Sequence, residues 1–332
     1  MDSVLEVRNI STGFRTGHRS VDIVKDVSFR VKRGGVFAIV GESGCGKSVT
    51  IHSVCRLLPS NGSLKSGEVV FRPGGGGEYR LDELAPYGKT MRNLRGKHIG
   101  MIFQDSTASL NPLFRVGDQV AEKLLEHSKM SKREAMNRVI EMFRDLGIPE
   151  PKQRVKDYPH QFSGGMRQRV MIAIAMICRP ELLIADEPTT ALDVTIQAQT
   201  MELMKKLQVQ NNTSVILITH NMGLVAEIAD TVAVMYMGRM AEQGSIEQIF
   251  RNPSHPYTKA LLKSVPVPGM GEDAVLESIR GQTPKAEDCT AGCEFADRCD
   301  YASEQCRTGL VPDTEIEEGH FVKCRLYQKD GR

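Results

Sequence analysis

Residues 41–48 read Gly-Glu-Ser-Gly-Cys-Gly-Lys-Ser, directly after an apolar run at 36–40 and before a helical pattern that starts at Ser48. Gly41, Gly46, Lys47 and Ser48 satisfy G-x-x-x-x-G-K-[ST], the spacing at which a glycine-rich loop bares its backbone N–H groups to phosphate oxygens. The helix that follows adds the partial positive charge of its N-terminus. Lys47 is expected to reach the terminal phosphates and Ser48 to bind magnesium. Gly41, Ser43, Gly44, Cys45, Gly46 and Val49 complete the expected phosphate-binding set.

Two further groups suit the same chemistry. Four apolar residues, 182–185, end in Asp186 and Glu187. A buried strand there delivers Asp186 to hold a magnesium shell through water, and Glu187 to orient and polarise the attacking water. Phosphoryl transfer needs such positioning more than it needs covalent chemistry. Thr219 and His220 close the next apolar run, and His220 can donate to the terminal phosphate. The second group, Phe162-Ser163-Gly164-Gly165-Met166-Arg167-Gln168-Arg169, puts a hydroxyl and two glycines at the start of an apolar helix. That is another anion site, with Ser163 and Gly165 as its contacts. Two phosphate-binding helix starts serve one nucleotide if two chains meet head to tail.

The cysteines form a different kind of cluster. Of eight, Cys45, Cys55 and Cys178 fall before residue 289, whereas Cys289, Cys293, Cys299, Cys306 and Cys324 crowd the end. Disulfides are an improbable use for them in a reducing compartment, which leaves metal or iron–sulfur ligation. Cys293, Cys299, Cys306 and Cys324 suit one 4Fe-4S cluster of structural role, because no His stands at close spacing. A four-thiolate zinc site is the alternative, although the C-x2-C pairs usual for zinc are missing. Cys289 could replace Cys293.

Strands at 4–10, 27–31, 36–40, 68–71, 182–185, 214–219 and 231–237 must position these groups, together with helices at 48–58, 116–146, 194–210 and 221–229. Ser131 and Glu134 form a capping box, and Gly147 is expected to end the helix. Gly74 to Gly77 reads as a surface loop. The alternation predicts an α/β fold with a largely parallel sheet and helices on its faces. Prolines break the periodicity after about residue 250, which leaves a loop-rich tail.

The chain has 332 residues, 40% hydrophobic and 25% charged, a globular composition that excludes disordered and fibrous classes. With 43 basic and 41 acidic residues, the net charge of +2 offers no footprint for nucleic acid. No tryptophan is present, and aromatics at 5% argue against a base-stacking surface. The longest apolar stretch, 170–178, falls well short of a bilayer span, and the first residues carry no secretory signal. A cytoplasmic place is therefore expected.

Taken together, these motifs resemble the ATP-binding-cassette ATPases. The marks are the loop at 41–48, Gln104 in Met-Ile-Phe-Gln-Asp, the signature from Ser163, Asp186-Glu187, Thr190-Ala191-Leu192-Asp193 and His220. Residues 106–112, 158–160, 188–195 and 252–258 are similar to the ATPase subunits of dipeptide, oligopeptide and nickel importers. Met166, Thr190 and Cys45 depart from usage in many cassettes; the first two are similar to this subgroup's own usage, and neither of them removes a catalytic group.

The resemblance implies a P-loop nucleotide-binding cassette over residues 1–250, with a helical subdomain inserted at about 105–180. A small extension, 251–332, would carry the cysteine cluster, and similar ATPases place cysteines at the four positions named above. It further implies Gln104 as a magnesium and lid sensor, Asp193 as a dimer contact, and Phe14 stacking on adenine. The implied function is ATP hydrolysis that energises import, most directly of di- or oligopeptides. Nickel, opine or oligosaccharide import, and a soluble non-transport cassette, stay open. Implied partners are a second cassette subunit, two membrane permeases that receive residues 106–112, and indirectly an extracytoplasmic binding protein. The expected place is the cytoplasmic face of the inner membrane.

Overall fold

The computed structural model describes residues 3–17, 19–104, 109–189, 193–264, 279–284 and 292–328. Its strands are β1 (Ser3–Thr16), β2 (Arg19–Lys32), β3 (Val36–Val40), β4 (Gly62–Phe71), β5 (Tyr79–Arg80), β6 (Ile99–Ile102) and β7 (Leu182–Asp186). They continue as β8 (Ser214–Thr219), β9 (Thr231–Tyr236), β10 (Arg239–Ser245), β11 (Thr314–Glu317) and β12 (His320–Val322). The α-helices are α1 (Lys47–Val54), α2 (Lys89–Asn93), α3 (Val116–His127), α4 (Lys132–Asp145), α5 (Pro151–Arg154) and α6 (Gly164–Met176). After these come α7 (Val194–Asn211), α8 (Met222–Ile228), α9 (Ile246–Arg251), α10 (Pro256–Lys263) and α11 (Glu304–Arg307). The chain divides into two compact units.

One unit comprises residues 1–5, 31–35 and 71–218. Its strands β6, β7 and β8 pair in parallel, Ile99 opposite Leu182 and Leu182 opposite Ser214. Residues 182–186 are all buried, as the unbroken apolar run requires of a strand covered on both faces. The helical stretch expected at 116–146 is two helices. Val116, Val120 and Leu124 form the buried stripe of α3, and Ala135, Val139 and Phe143 that of α4. The break falls where Ser131 caps α4: its hydroxyl accepts from the Glu134 N–H at 3.3 Å, and Glu134 Oε2 accepts from the Ser131 N–H at 2.8 Å. Gly147 takes φ 64° just past the end of α4, the conformation its position predicts.

The other unit comprises residues 6–30, 36–70 and 219–332. Parallel strands β3 and β9 run Phe37 opposite Thr231, and β10 and β12 extend the ladder antiparallel. Strands β1 and β2 are far longer than the expected 4–10 and 27–31. Asn9 and Asp26 adopt φ 49° and 54° and hydrogen-bond each other at 2.6 Å, an irregularity that interrupts the alternation on which the sequence reading relied. Helix α1 stops at Val54, before the expected residue 58. Arg56 enters the left-handed region at φ 54°, where the Leu57 N–H donates to His52 O at 2.8 Å and the Arg56 N–H to Ser53 O at 3.1 Å. This is a Schellman closure without the glycine that would have announced it.

The tail is less loop-like than its prolines suggest. Strands β11 and β12 form an antiparallel pair, and β12 joins β10 with Glu242 opposite Val322. Glu242 is 1% exposed, and its carboxylate accepts from the N–H groups of Ser254 (2.7 Å) and His255 (2.8 Å) and pairs with His320 Nε2 (2.7 Å). A buried carboxylate is tolerable because three donors meet it.

Candidate active site

In the second unit, β3 delivers the glycine-rich loop and α1 receives it. Gly41, Gly44 and Gly46 sit at φ 152°, 79° and 104°. A Cβ on Gly41 would stand 2.2 Å from Met235 O, which excludes a side chain there, while one on Gly46 would make a tight 3.1 Å contact with Ile23 O in a conformation that itself favours glycine. Lys47 is 5% exposed, and its ammonium donates to the carbonyls of Gly41 and Glu42, each at 2.8 Å. The loop is thereby curled around its own lysine. Cys45 is buried, which raises its thiol pKa despite the neighbouring Lys47, so it serves as packing rather than as a nucleophile. Ser43 and Gly44 are exposed at the loop tip, while Ser48 and Val49 are half-buried on the first turn of α1.

Glu42 has unusual company. Burial works against its charge, but hydrogen bonds from Arg298 and Thr283 outweigh that and hold its pKa below the ordinary carboxylate value. Phe14, on β1, is half-buried, and its ring covers Gly62, whose Cβ would lie 2.8 Å away. His220 is exposed just after β8. The next residue, Asn221, caps α8 by accepting from the Leu224 N–H at 3.2 Å.

In the first unit, Asp186 ends β7 at 3% exposure and Glu187 turns out of the strand at φ 46°, a left-handed conformation rare for a side-chain-bearing residue. Backbone strain of this kind collects at functional turns. The Glu187 N–H donates to Ile218 O at 2.9 Å, and Gln104 Nε2 donates to Glu187 Oε2 at 3.0 Å. Gln104 and Glu187, two of the residues singled out in the sequence, are thus brought together.

Ser163 caps α6, its hydroxyl accepting from the Met166 N–H at 3.3 Å. A Cβ on Gly164 would meet nothing within 4 Å, whereas one on Gly165 would stand 2.9 Å from Ile196 Cγ2. Asp193 caps α7 by accepting from the Ile196 N–H at 2.9 Å. Residues 190–192, 105–108 and Cys289 lie outside the described residues.

Cys293, Cys299, Cys306 and Cys324 line one cavity of about 170 Å³, together with His255, Phe295 and Tyr301. The Cys293 N–H donates to Cys306 O at 2.7 Å. Burial, then Glu294 and the sulfurs of Cys324 and Cys299, push the Cys293 thiol up to about 12 against a backbone hydrogen bond from Phe295. Cys299 and Cys324 are raised as well, burial first, with neighbouring cysteines adding to it. Among the described residues, no three His, Cys, Asp or Glu side chains converge tightly enough to hold a single metal ion. His255 is fully buried, and burial lowers its pKa to about 4, leaving a neutral ring whose Nδ1 accepts from the Tyr257 N–H at 3.0 Å.

Sequence reasoning missed four contributors: Arg298, Thr283, Tyr257 and Gln168. The first three reach Glu42 from residues more than two hundred positions away. Gln168, 4% exposed within the signature helix, donates to Pro188 O beside Glu187. Only its polar type at an inward position of an apolar helix could have signalled it.

The ABC transporter family profile matches residues 24–190, and that of the oligopeptide/dipeptide transporter C-terminal region matches 241–306. The dipeptide transport ATP-binding protein DppD of Bacillus subtilis is 49% identical over 98% of this chain and 95% of its own length. The oligopeptide transport ATP-binding protein OppD of the same organism is 46% identical over 98% and 90%. Among solved structures, the dimeric ATP-binding cassette MJ0796, in a post-hydrolysis state with ADP and Pi, superposes with a TM-score of 0.64. It is 25% identical and spans 73% of this chain and 98% of its own. The cbiO1 cassette of Clostridium perfringens gives 0.63 at 27% identity over 76% and 92%.

Proposed function

Because the chain belongs to the ABC transporter ATPase family, we propose that it energises the import of dipeptides or oligopeptides by hydrolysing ATP. It works at the cytoplasmic face of the membrane, in a head-to-tail pair of cassettes beneath two permeases, with an extracytoplasmic binding protein acting indirectly. The observation that carries the ATPase reading is the left-handed turn that holds Glu187 against Gln104. The peptide class follows from relatives that match end to end and share the C-terminal region.

The residues divide the work. Gly41, Ser43, Gly44, Cys45, Gly46 and Val49 cradle the phosphates, with Lys47 turning its ammonium from loop carbonyls to phosphate oxygens, and Phe14 takes the adenine. Ser48, Gln104 and, through water, Asp186 are hard oxygen donors that suit magnesium, which supplies charge neutralisation on the phosphates. Glu187 accepts the proton of the attacking water, Gln104 orients that carboxylate, and His220 donates to the terminal phosphate. Ser163 and Gly165 close the nucleotide site of the facing chain, where Asp193 also makes contact.

Residues 105–180 form the helical subdomain of the 1–250 cassette, and 251–332 the extension. Gln119 supports permease docking by pinning the loop before α3: it accepts from the Asn111 N–H at 2.9 Å and donates to Asn111 O (2.9 Å) and Phe114 O (3.0 Å). Leu113 and Phe114 are 80% and 57% exposed there, an apolar edge suited to a permease helix. Reconstitution with the permease pair tests the function. ATPase activity should rise when the binding protein carries a di- or oligopeptide, and stimulation only by nickel, an opine or an oligosaccharide would redirect the assignment.

Cys293, Cys299, Cys306 and Cys324 are proposed to hold a 4Fe-4S cluster. Their shared cavity supports this, and a four-iron body keeps its thiolates further apart than a single zinc ion does. Anaerobically purified protein should contain about four irons and four sulfides per chain. Stoichiometric zinc without sulfide would overturn the proposal, and iron lost in Cys289→Ser but kept in Cys293→Ser would move the ligand.

A further inference from the structure

Glu42 is held from several sides, and most of the holders come from beyond residue 250. Its N–H donates to the Tyr257 hydroxyl at 2.9 Å. Its carboxylate accepts two hydrogen bonds from Arg298, at 2.7 and 3.1 Å, and one from Thr283 at 2.9 Å. Its carbonyl accepts from Lys47 Nζ at 2.8 Å. The residue that feels Arg298 therefore also places the lysine of the phosphate loop.

Arg298 is itself fixed. Its side chain is 6% exposed, Nε donates to Arg280 O at 2.7 Å, and Nη1 also reaches the Tyr236 hydroxyl at 3.2 Å. The guanidinium lies 5.8 Å from the Tyr236 ring centre and 5.9 Å from that of Phe295. Phe295 packs edge-on against Tyr236 at 5.2 Å and tilted against Tyr257 at 5.3 Å. Glu294, one residue earlier, accepts from Arg239 at 2.6 Å. The segment between Cys293 and Cys299 is thus a firm mount, and Arg298 is its projection towards the loop.

A bidentate guanidinium–carboxylate pair fixes direction as well as charge. Without it, a carboxylate in a phosphate loop would repel the nucleotide and compete for the lysine. We propose that Arg298 is a positioning residue for the phosphate loop, clamping and neutralising Glu42 so that ATP affinity depends on a side chain of the cysteine-bearing segment. The proposal rests on reading residues 41–48 as the ATP site.

The test is the affinity of the full chain for a fluorescent ATP analogue, with Lys47→Ala as reference. Arg298→Gln should weaken binding about tenfold and Arg298→Lys, whose single-point donor keeps the charge, about threefold. Glu42→Gln should weaken it about threefold, and the double variant E42Q/R298Q by no more than that, because Arg298 then has no carboxylate to hold. Metal content and the unfolding midpoint are read on the same samples. A merely structural role would lower the midpoint in single and double variants alike, without rescue by removing the second charge. Unchanged affinity in R298Q, or a double variant as weak as R298Q, overturns the clamp. If R298Q fails to fold, R298K against E42Q/R298K makes the same comparison. Equal, negligible binding by wild type and Lys47→Ala would instead overturn the ATP-site reading, and the clamp with it.

Discussion

Replacing Glu187 with Gln is expected to cut ATP turnover by about a hundredfold to a thousandfold while leaving ATP affinity within about threefold. The amide keeps the size and planarity of the carboxylate, and its oxygen can still accept from Gln104, which donates to Glu187 at 3.0 Å. It cannot take the proton of the attacking water. The backbone turn at φ 46° is unaffected, since the change is confined to the side-chain head group. Single-turnover hydrolysis and equilibrium binding on the same preparation separate the two effects. Turnover within about tenfold of wild type would remove Glu187 from its role.

Lys47→Ala is expected to weaken ATP binding by about thirtyfold or more, the cost of truncating one partner of a desolvated charge contact. Part of that loss comes from the loop itself. The ammonium donates to the carbonyls of Gly41 and Glu42 at 2.8 Å each, and removing it leaves two acceptors in a closed turn without their donor. Lys47→Arg should recover little, because a guanidinium is too broad to stand between the two carbonyls. ATP affinity unchanged in Lys47→Ala would count against the whole loop assignment.

The sequence was most informative where one local rule decides the outcome. The apolar runs at β3, β7 and β8 predict buried strands because no amphipathic alternation competes, and the Ser131–Glu134 spacing predicts a cap that the hydrogen bonds realise. The phosphate loop is legible because its glycines are demanded by backbone geometry. Legibility failed at the irregular β1–β2 ribbon, where Asn9 and Asp26 enter the left-handed region inside runs that read as regular strand, and at the cap of α1, where Arg56 takes a conformation its type does not favour. It failed again in the tail, because the partners of Glu42 and Glu242 are separated from them by long stretches of chain that carry no local signal.

The buried hydrogen bond from Gln168 to Pro188 O puts the signature helix and the turn carrying Glu187 in mechanical series. In the head-to-tail pair proposed above, the N-terminus of that helix would face the partner's nucleotide while the Gln168 side chain holds the turn that carries Glu187 in its own chain. Occupancy of one half-site would then be transmitted to the geometry of the other, and the two sites should fire with cooperativity rather than as independent motors. A Hill coefficient for ATP hydrolysis that drops towards one in Gln168→Leu is the signature of that coupling. An unaltered coefficient would assign the bond to packing alone.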